Sequence, residues 1–157
     1  MSLTLRFLEA RVPPPIVGVV AGALMWALSR PGPLVDLPWA FRVSVAVALA
    51  LLGGAITIAG AVSFGRARTT VNPLKPETAS SLVVSGIYRR TRNPMYVGFL
   101  MVLLGWAVFL ASPWGLLGPA LFVLYMNRFQ IAPEERALEK LFGASFTAYR
   151  SKVRRWL

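Results

Sequence analysis

The run NPMYVGFLMVLLGWAVFLASPWGLLGPALFVLYMN, residues 93–127, carries no charged side chain from Asn93 to Asn127. That is about twice the minimum for one bilayer crossing. Ser112-Pro113-Trp114-Gly115, a turn-forming run, interrupts it midway, which predicts a tight hairpin of two helical crossings over about 95–111 and 114–131. Two further stretches are free of charge, Val12 to Ser29 and Val43 to Gly65. They predict crossings over about 14–30 and 43–64. The first starts behind Pro13-Pro14-Pro15, residues acceptable before a helix or in its first turn. It is too long and too Pro-led for a simple cleaved signal, and no small-residue cleavage site follows, so it is expected to be retained. The expected fold is all-α: an integral membrane bundle of four transmembrane helices forming one domain over residues 1–157.

Composition agrees. Hydrophobic residues make up 56% of the chain and charged residues 15%, yet Lys plus Arg outnumber Asp plus Glu by 17 to 6 for a net charge of +11. Disorder is excluded by the apolar content. With no His and no Cys, disulfides, a thiolate nucleophile, an imidazole base and ordinary zinc or haem sites are excluded, and no metal is expected. The charge is distributed by side. Arg6, Arg11, the Arg66–Arg92 loop and the tail beyond Arg128 fall on one side of the expected spans, while only Arg30 and Arg42 fall on the other. The positive-inside rule then puts both termini and the long loop in the cytoplasm. A nucleic-acid partner does not account for the apolar spans, so the lipid bilayer is the expected partner. Gly18-Val19-Val20-Ala21-Gly22 is a small-xxx-small match, and Gly53-Gly54, Gly60, Gly98 and Gly105 offer further points of close helix approach.

Three cytoplasmic stretches bear on function. Thr69-Thr70-Val71-Asn72-Pro73-Leu74-Lys75-Pro76 is too Pro-punctuated for a regular helix, and Leu82–Tyr88 after it is a short apolar run. Next, Gly86-Ile87-Tyr88-Arg89-Arg90-Thr91-Arg92-Asn93-Pro94-Met95-Tyr96 sets a dense arginine cluster between two tyrosines, and Asn93-Pro94 reads as an N-cap and first helical residue. Such a helix start, beside aromatic faces, suits a zwitterionic ligand. Last, Pro133-Glu134-Glu135 follows the fourth span. Four residues beyond these acids stand Leu138 and Glu139, so neither gains a cation at i,i+4. Two adjacent carboxylates there need a cationic partner, supplied by protein arginines or by a ligand.

Ser85-Gly86-Ile87-Tyr88, Arg92-Asn93-Pro94-Met95-Tyr96-Val97-Gly98, Glu134-Glu135, Phe142-Gly143, Tyr149 and Val153 together resemble the isoprenylcysteine carboxyl methyltransferase family. They also resemble the related phospholipid methyltransferases and their small prokaryotic members. The likeness covers roughly residues 60–157. It implies an integral membrane methyltransferase of the prokaryotic cytoplasmic membrane that uses S-adenosylmethionine, with the cytoplasmic loop and a C-terminal helix closing the cofactor pocket. By position it implies that Leu82, Val83, Gly86, Tyr88, Asn93, Pro94, Met95, Tyr96 and Glu134 bind the cofactor. Glu135 lies beside them. Eukaryotic members have His-Pro where this chain has Asn93-Pro94, and an amide cannot act as a base. Gln130 stands near an arginine tied to substrate contact in the prenylcysteine enzymes, and Arg128, half a helical turn away, is the candidate to compensate. Arg128 and Glu135 are the candidate catalytic residues.

Methyl transfer from a sulfonium to an already ionised nucleophile needs no base, which suits a chain without His or Cys. The acceptor is expected to be a lipophilic small molecule or lipid. Two alternatives stay open: an NADPH-dependent membrane reductase of the sterol-reductase kind, and a non-enzymatic membrane protein on the same fold.

Overall fold

The computed structural model describes residues 9–68 and 79–157, so the Thr69–Pro76 stretch lies outside the described residues. Among those described there are helices and no strand. The main helices are α1 (Pro14–Ser29), α2 (Trp39–Arg66), α3 (Pro94–Leu110) and α4 (Leu117–Tyr125). A π-helical stretch, Met126–Ile131, leads from α4 into α5 (Ala132–Phe142), and α6 (Ala144–Lys152) follows. Short 3-10 turns at Gly86–Arg89 and Pro113–Leu116 precede α3 and α4.

The first three helices fall on the charge-free stretches. Among the described residues only α2, at 28 residues, is by itself long and apolar enough to cross a membrane; α1 and α3 have 16 and 17 residues. The fourth expected crossing, 114–131, is not one regular helix. Pro113 and Gly115 make its start a 3-10 turn, and its last residues widen into the π-helical stretch. The cause of the widening is Pro133, which has no N–H to give to the carbonyl of Phe129 four residues back. That carbonyl accepts instead from Ala10 N, at 2.8 Å.

Helices α2 and α3 run antiparallel along a seam of small residues. Gly60 meets Pro94 and Met95, Gly53 meets Gly98, and Gly105 meets Ala46. At the end of the seam Arg42 donates through Nε to the Phe109 carbonyl at 2.7 Å, with its guanidinium near the Trp39 and Phe109 rings. This pairing lets α2 begin at Trp39, ahead of the charge-free stretch. Helix α1 runs antiparallel to α4: Ala10 before it reaches Phe129, Met25 within it packs on Gly118, and Gly32 beyond it sits against Trp114. The Gly18/Gly22 pair does not make the main helix crossing, since Gly18 faces open space.

The core is small. Met25, Tyr96, Leu103, Phe122, Met126 and Ile131 are its main members. Much apolar surface points outward, with Val19, Leu51, Ile58 and Leu124 between 65% and 73% exposed, more than a water-facing monomer ordinarily presents. A side chain at position 98 would drive into the Gly53 carbonyl and Thr57, atoms fixed by the helix itself. Gly98→Leu should lower the unfolding temperature in detergent by the equivalent of about 3 kcal/mol or more, the upper range of overpacking. Gly18→Leu, with no heavy atom near an added Cβ, should leave it unchanged.

Candidate functional site

Polar groups converge where the start of α3, the start of α5 and the C-terminal segment meet. The two adjacent glutamates have different partners, because consecutive helical residues point about 100° apart. Glu134 faces α3. Its Oε1 accepts from Tyr96 OH at 2.5 Å and from Gln130 Nε2 at 2.8 Å. Both bonds fall on one oxygen, which leaves Oε2 open among the described residues. Glu135 faces the C-terminal segment and is saturated. Arg92 donates to its Oε1 at 2.7 Å, while Arg155 gives Nε to Oε1 at 3.1 Å and its NH2 group to Oε2 at 2.6 Å. The cation required by paired carboxylates therefore comes from protein arginines at Glu135, whereas among the described residues the donors to Glu134 are neutral.

The C-terminal segment holds this arrangement by its backbone. Arg92 N donates to Arg154 O at 2.9 Å, and Asn93 Nδ2 donates to Arg155 O at 2.8 Å. Asn93 does stand at the N-cap of α3, but its side chain makes no capping bond, because the segment after α6 has taken it. Trp156 Nε1 reaches Asn127 Oδ1 at 3.0 Å and ties the same segment to the π-helical stretch.

Tyr88 is placed by a turn that starts at Gly86, whose φ of +61° a side chain would strain. Its ring packs edge-on against Phe64 at 5.4 Å, and its carbonyl accepts from Tyr149 OH at 2.7 Å. Val83 is buried in the run ahead of that turn, with Leu82 half-buried beside it. Pro94 is buried and Met95 half-buried in the first turn of α3, the turn that also carries Tyr96. Arg128 is elsewhere. It donates to Glu9 Oε1 at 2.6 Å and makes no bond to Glu134 or Glu135.

Burial pushes the Glu134 carboxyl up to about 7, with the neighbouring Glu135 charge adding to the rise and the Gln130 and Tyr96 bonds opposing it. Burial also raises the Tyr88 phenol, with Tyr149 and Glu134 contributing, so Tyr88 stays neutral at physiological pH. Sequence reasoning passed over Gln130 as a site residue. It is buried at 1% exposure in the π-helical stretch. Its spacing of four before Glu134 was a legible signal, as a helical amide-to-carboxylate pair. Tyr149 stood in the family pattern with no role assigned to it, and Arg155 carried no local signal.

A largely apolar helical bundle with its polar centre gathered at one end is the class of protein that fold and site define. Within that class the chain belongs to the phospholipid methyltransferase family, whose model matches residues 41–145. It is 33% identical over 112 residues to a probable protein-S-isoprenylcysteine O-methyltransferase of Oryza sativa, covering 69% of this chain and 57% of that protein. It is 30% identical over 129 residues to the protein-S-isoprenylcysteine O-methyltransferase of Schizosaccharomyces pombe, covering 80% and 53%. An uncharacterized protein of Haemophilus influenzae is 46% identical over 63 residues, 40% of this chain and all of that one. The chain thus spans about half the length of these methyltransferase relatives. No solved structure matches it.

The raised carboxyl has a consequence for stability. Its folded pKa of about 7 lies above the ordinary 4.5, so between these values the folded state binds more protons than the unfolded one, and stability falls as pH rises through that window. Unfolding temperatures between pH 5 and pH 8 should decline in the parent protein by more than in Glu134→Gln. The difference should correspond to roughly 1–3 kcal/mol.

Proposed function

We propose that this protein is an integral membrane methyltransferase that uses S-adenosylmethionine and acts on a lipophilic acceptor. One observation carries the reading: Glu134 is held through one oxygen by two neutral donors, with its other oxygen open among the described residues. A carboxylate arranged in this way suits a cationic ligand, and a methyl donor of this kind carries both an ammonium and a sulfonium. When bound, the cofactor supplies an electrophilic methyl group. The family relation supports the activity, and the relatives' activity as protein-S-isoprenylcysteine O-methyltransferases supports an acceptor with a lipid tail.

The chain's own residues then have distinct tasks. Glu134 holds the cationic end, with Tyr96 and Gln130 fixing its rotamer. Tyr88 stays neutral and offers an aromatic face to positive charge. Leu82, Val83, Gly86, Asn93, Pro94 and Met95 form the surrounding wall and exclude water, so that catalysis rests on positioning. Glu135, taken up by Arg92 and Arg155, is a positioning residue that fixes the C-terminal segment over the start of α3. Arg128, held by Glu9, falls outside the cofactor's set. The Lys/Arg bias and the outward apolar surface support four crossings, with termini and site on the cytoplasmic face, as part of this reading.

Calorimetry of the purified protein in detergent tests the reading. S-adenosylmethionine should bind and NADPH should not; binding of NADPH alone would mark a reductase, and binding of neither would remove the enzymatic reading. Because Glu134 must be ionised to pair with a cation, affinity should rise about tenfold between pH 6 and pH 8 for a carboxyl near 7. Glu134→Gln should bind at least tenfold more weakly at pH 8, and that pH dependence should vanish.

A further inference from the structure

A groove of about 590 Å³ runs between α1 and α4, away from the Glu134 centre. Val20, Leu24 and Leu28 line it from one side and Leu117, Leu121 and Leu124 from the other. All six are among the exposed apolar residues of the chain. Over the twelve residues from Leu117 to Arg128 the groove extends about 16 Å at a helical rise. Its wall is apolar until Arg128, whose guanidinium lies 5.2 Å from the Phe129 ring.

At that end Arg128 and Arg136 both hold the carboxylate of Glu9, one on each oxygen. The two arginine side chains stay accessible, at 32% exposure for Arg128 and 53% for Arg136. Glu9 is brought there because the next residue, Ala10, donates to the Phe129 carbonyl, which Pro133 cannot serve as the i+4 donor. An acidic group from the chain thus sits between two cations at the mouth of a chain-shaped apolar channel. Two arginine forks around one acid also match the geometry of a phosphate.

We propose that this groove binds an anionic phospholipid, with an acyl chain between α1 and α4 and the phosphate on Arg128 and Arg136 in place of Glu9. Charge complementarity selects an acidic headgroup over a zwitterionic one, and Glu9 is the competitor that the headgroup displaces. The site is separate from the cofactor's and does not depend on methyl transfer.

Native mass spectrometry of the full chain in a neutral detergent tests this, titrating dioleoyl phosphatidylglycerol against dioleoyl phosphatidylcholine. Phosphatidylglycerol should bind at least tenfold more tightly. Arg128→Gln with Arg136→Gln should abolish that preference, and Leu121→Trp, filling the groove from an exposed position, should weaken binding of both lipids. Glu9→Gln should tighten phosphatidylglycerol binding severalfold, an effect opposite to that of a merely structural ion pair. Thermal unfolding identifies variants that remain folded. Equal binding of the two lipids, a preference that survives loss of both arginines, or weaker binding in Glu9→Gln would each overturn the proposal. So would tighter binding of oleate than of phosphatidylglycerol, which would mark a fatty-acid site.

Discussion

Pro133 lacks the N–H that the Phe129 carbonyl would use in an unbroken α-helix, and several features of this end of the molecule depend on that one missing donor. The backbone widens into a π-helical stretch over Met126–Ile131. Gln130 is buried within that stretch and reaches Glu134 in the first turn of α5. The released carbonyl captures Ala10 and thereby brings Glu9 to Arg128 and Arg136. A straight helix from Leu117 to Phe142 would keep the Phe129 carbonyl for itself and present a different face to α3. The helix-breaking residue therefore orders two polar clusters at once.

The second constraint is the C-terminal segment. After α6 the chain turns extended at Val153 and lays its backbone along Thr91–Asn93, ahead of α3. Arg155 adds a bidentate pair to Glu135, and Arg92 closes the same carboxylate from the other side. In this partly buried setting the pairs count for more than exposed surface pairs do. Removing either arginine leaves charge behind in a site where water is scarce. The segment is thus a wall whose position is set by hydrogen bonds at both backbone and side-chain level.

Much of this was legible in the sequence. The charge-free stretches located α1, α2 and α3 because helices facing apolar surroundings must be apolar on most sides. The turn at Ser112–Gly115 was legible because Pro and Gly there cannot extend a helix. The break before Pro133 was visible as a residue, but its effect on the register was not, since periodicity does not distinguish a π-helical turn from an α-helical one. The glutamate pair was recognisable as unpaired along its own helix. The partners that Glu135 does have stand 43 and 20 residues away, and only the docking of the C-terminal segment brings them close. The division between Glu134 and Glu135 is a tertiary fact.

That division decides what each acid can do. A carboxylate already clasped by two guanidinium groups has its charge neutralised, and an incoming cation would need to displace arginine to reach it. Glu134 accepts from a phenol and an amide, which satisfy hydrogen-bonding geometry without cancelling charge. Burial then makes its ionised form costly, and the carboxyl rises to about 7. Ionisation is thus easiest when a cation arrives to share the site. Replacing Gln130 by arginine would fix Glu134 in its ionised state and occupy the field that a ligand must use. The neutrality of its two donors is what keeps this carboxylate available.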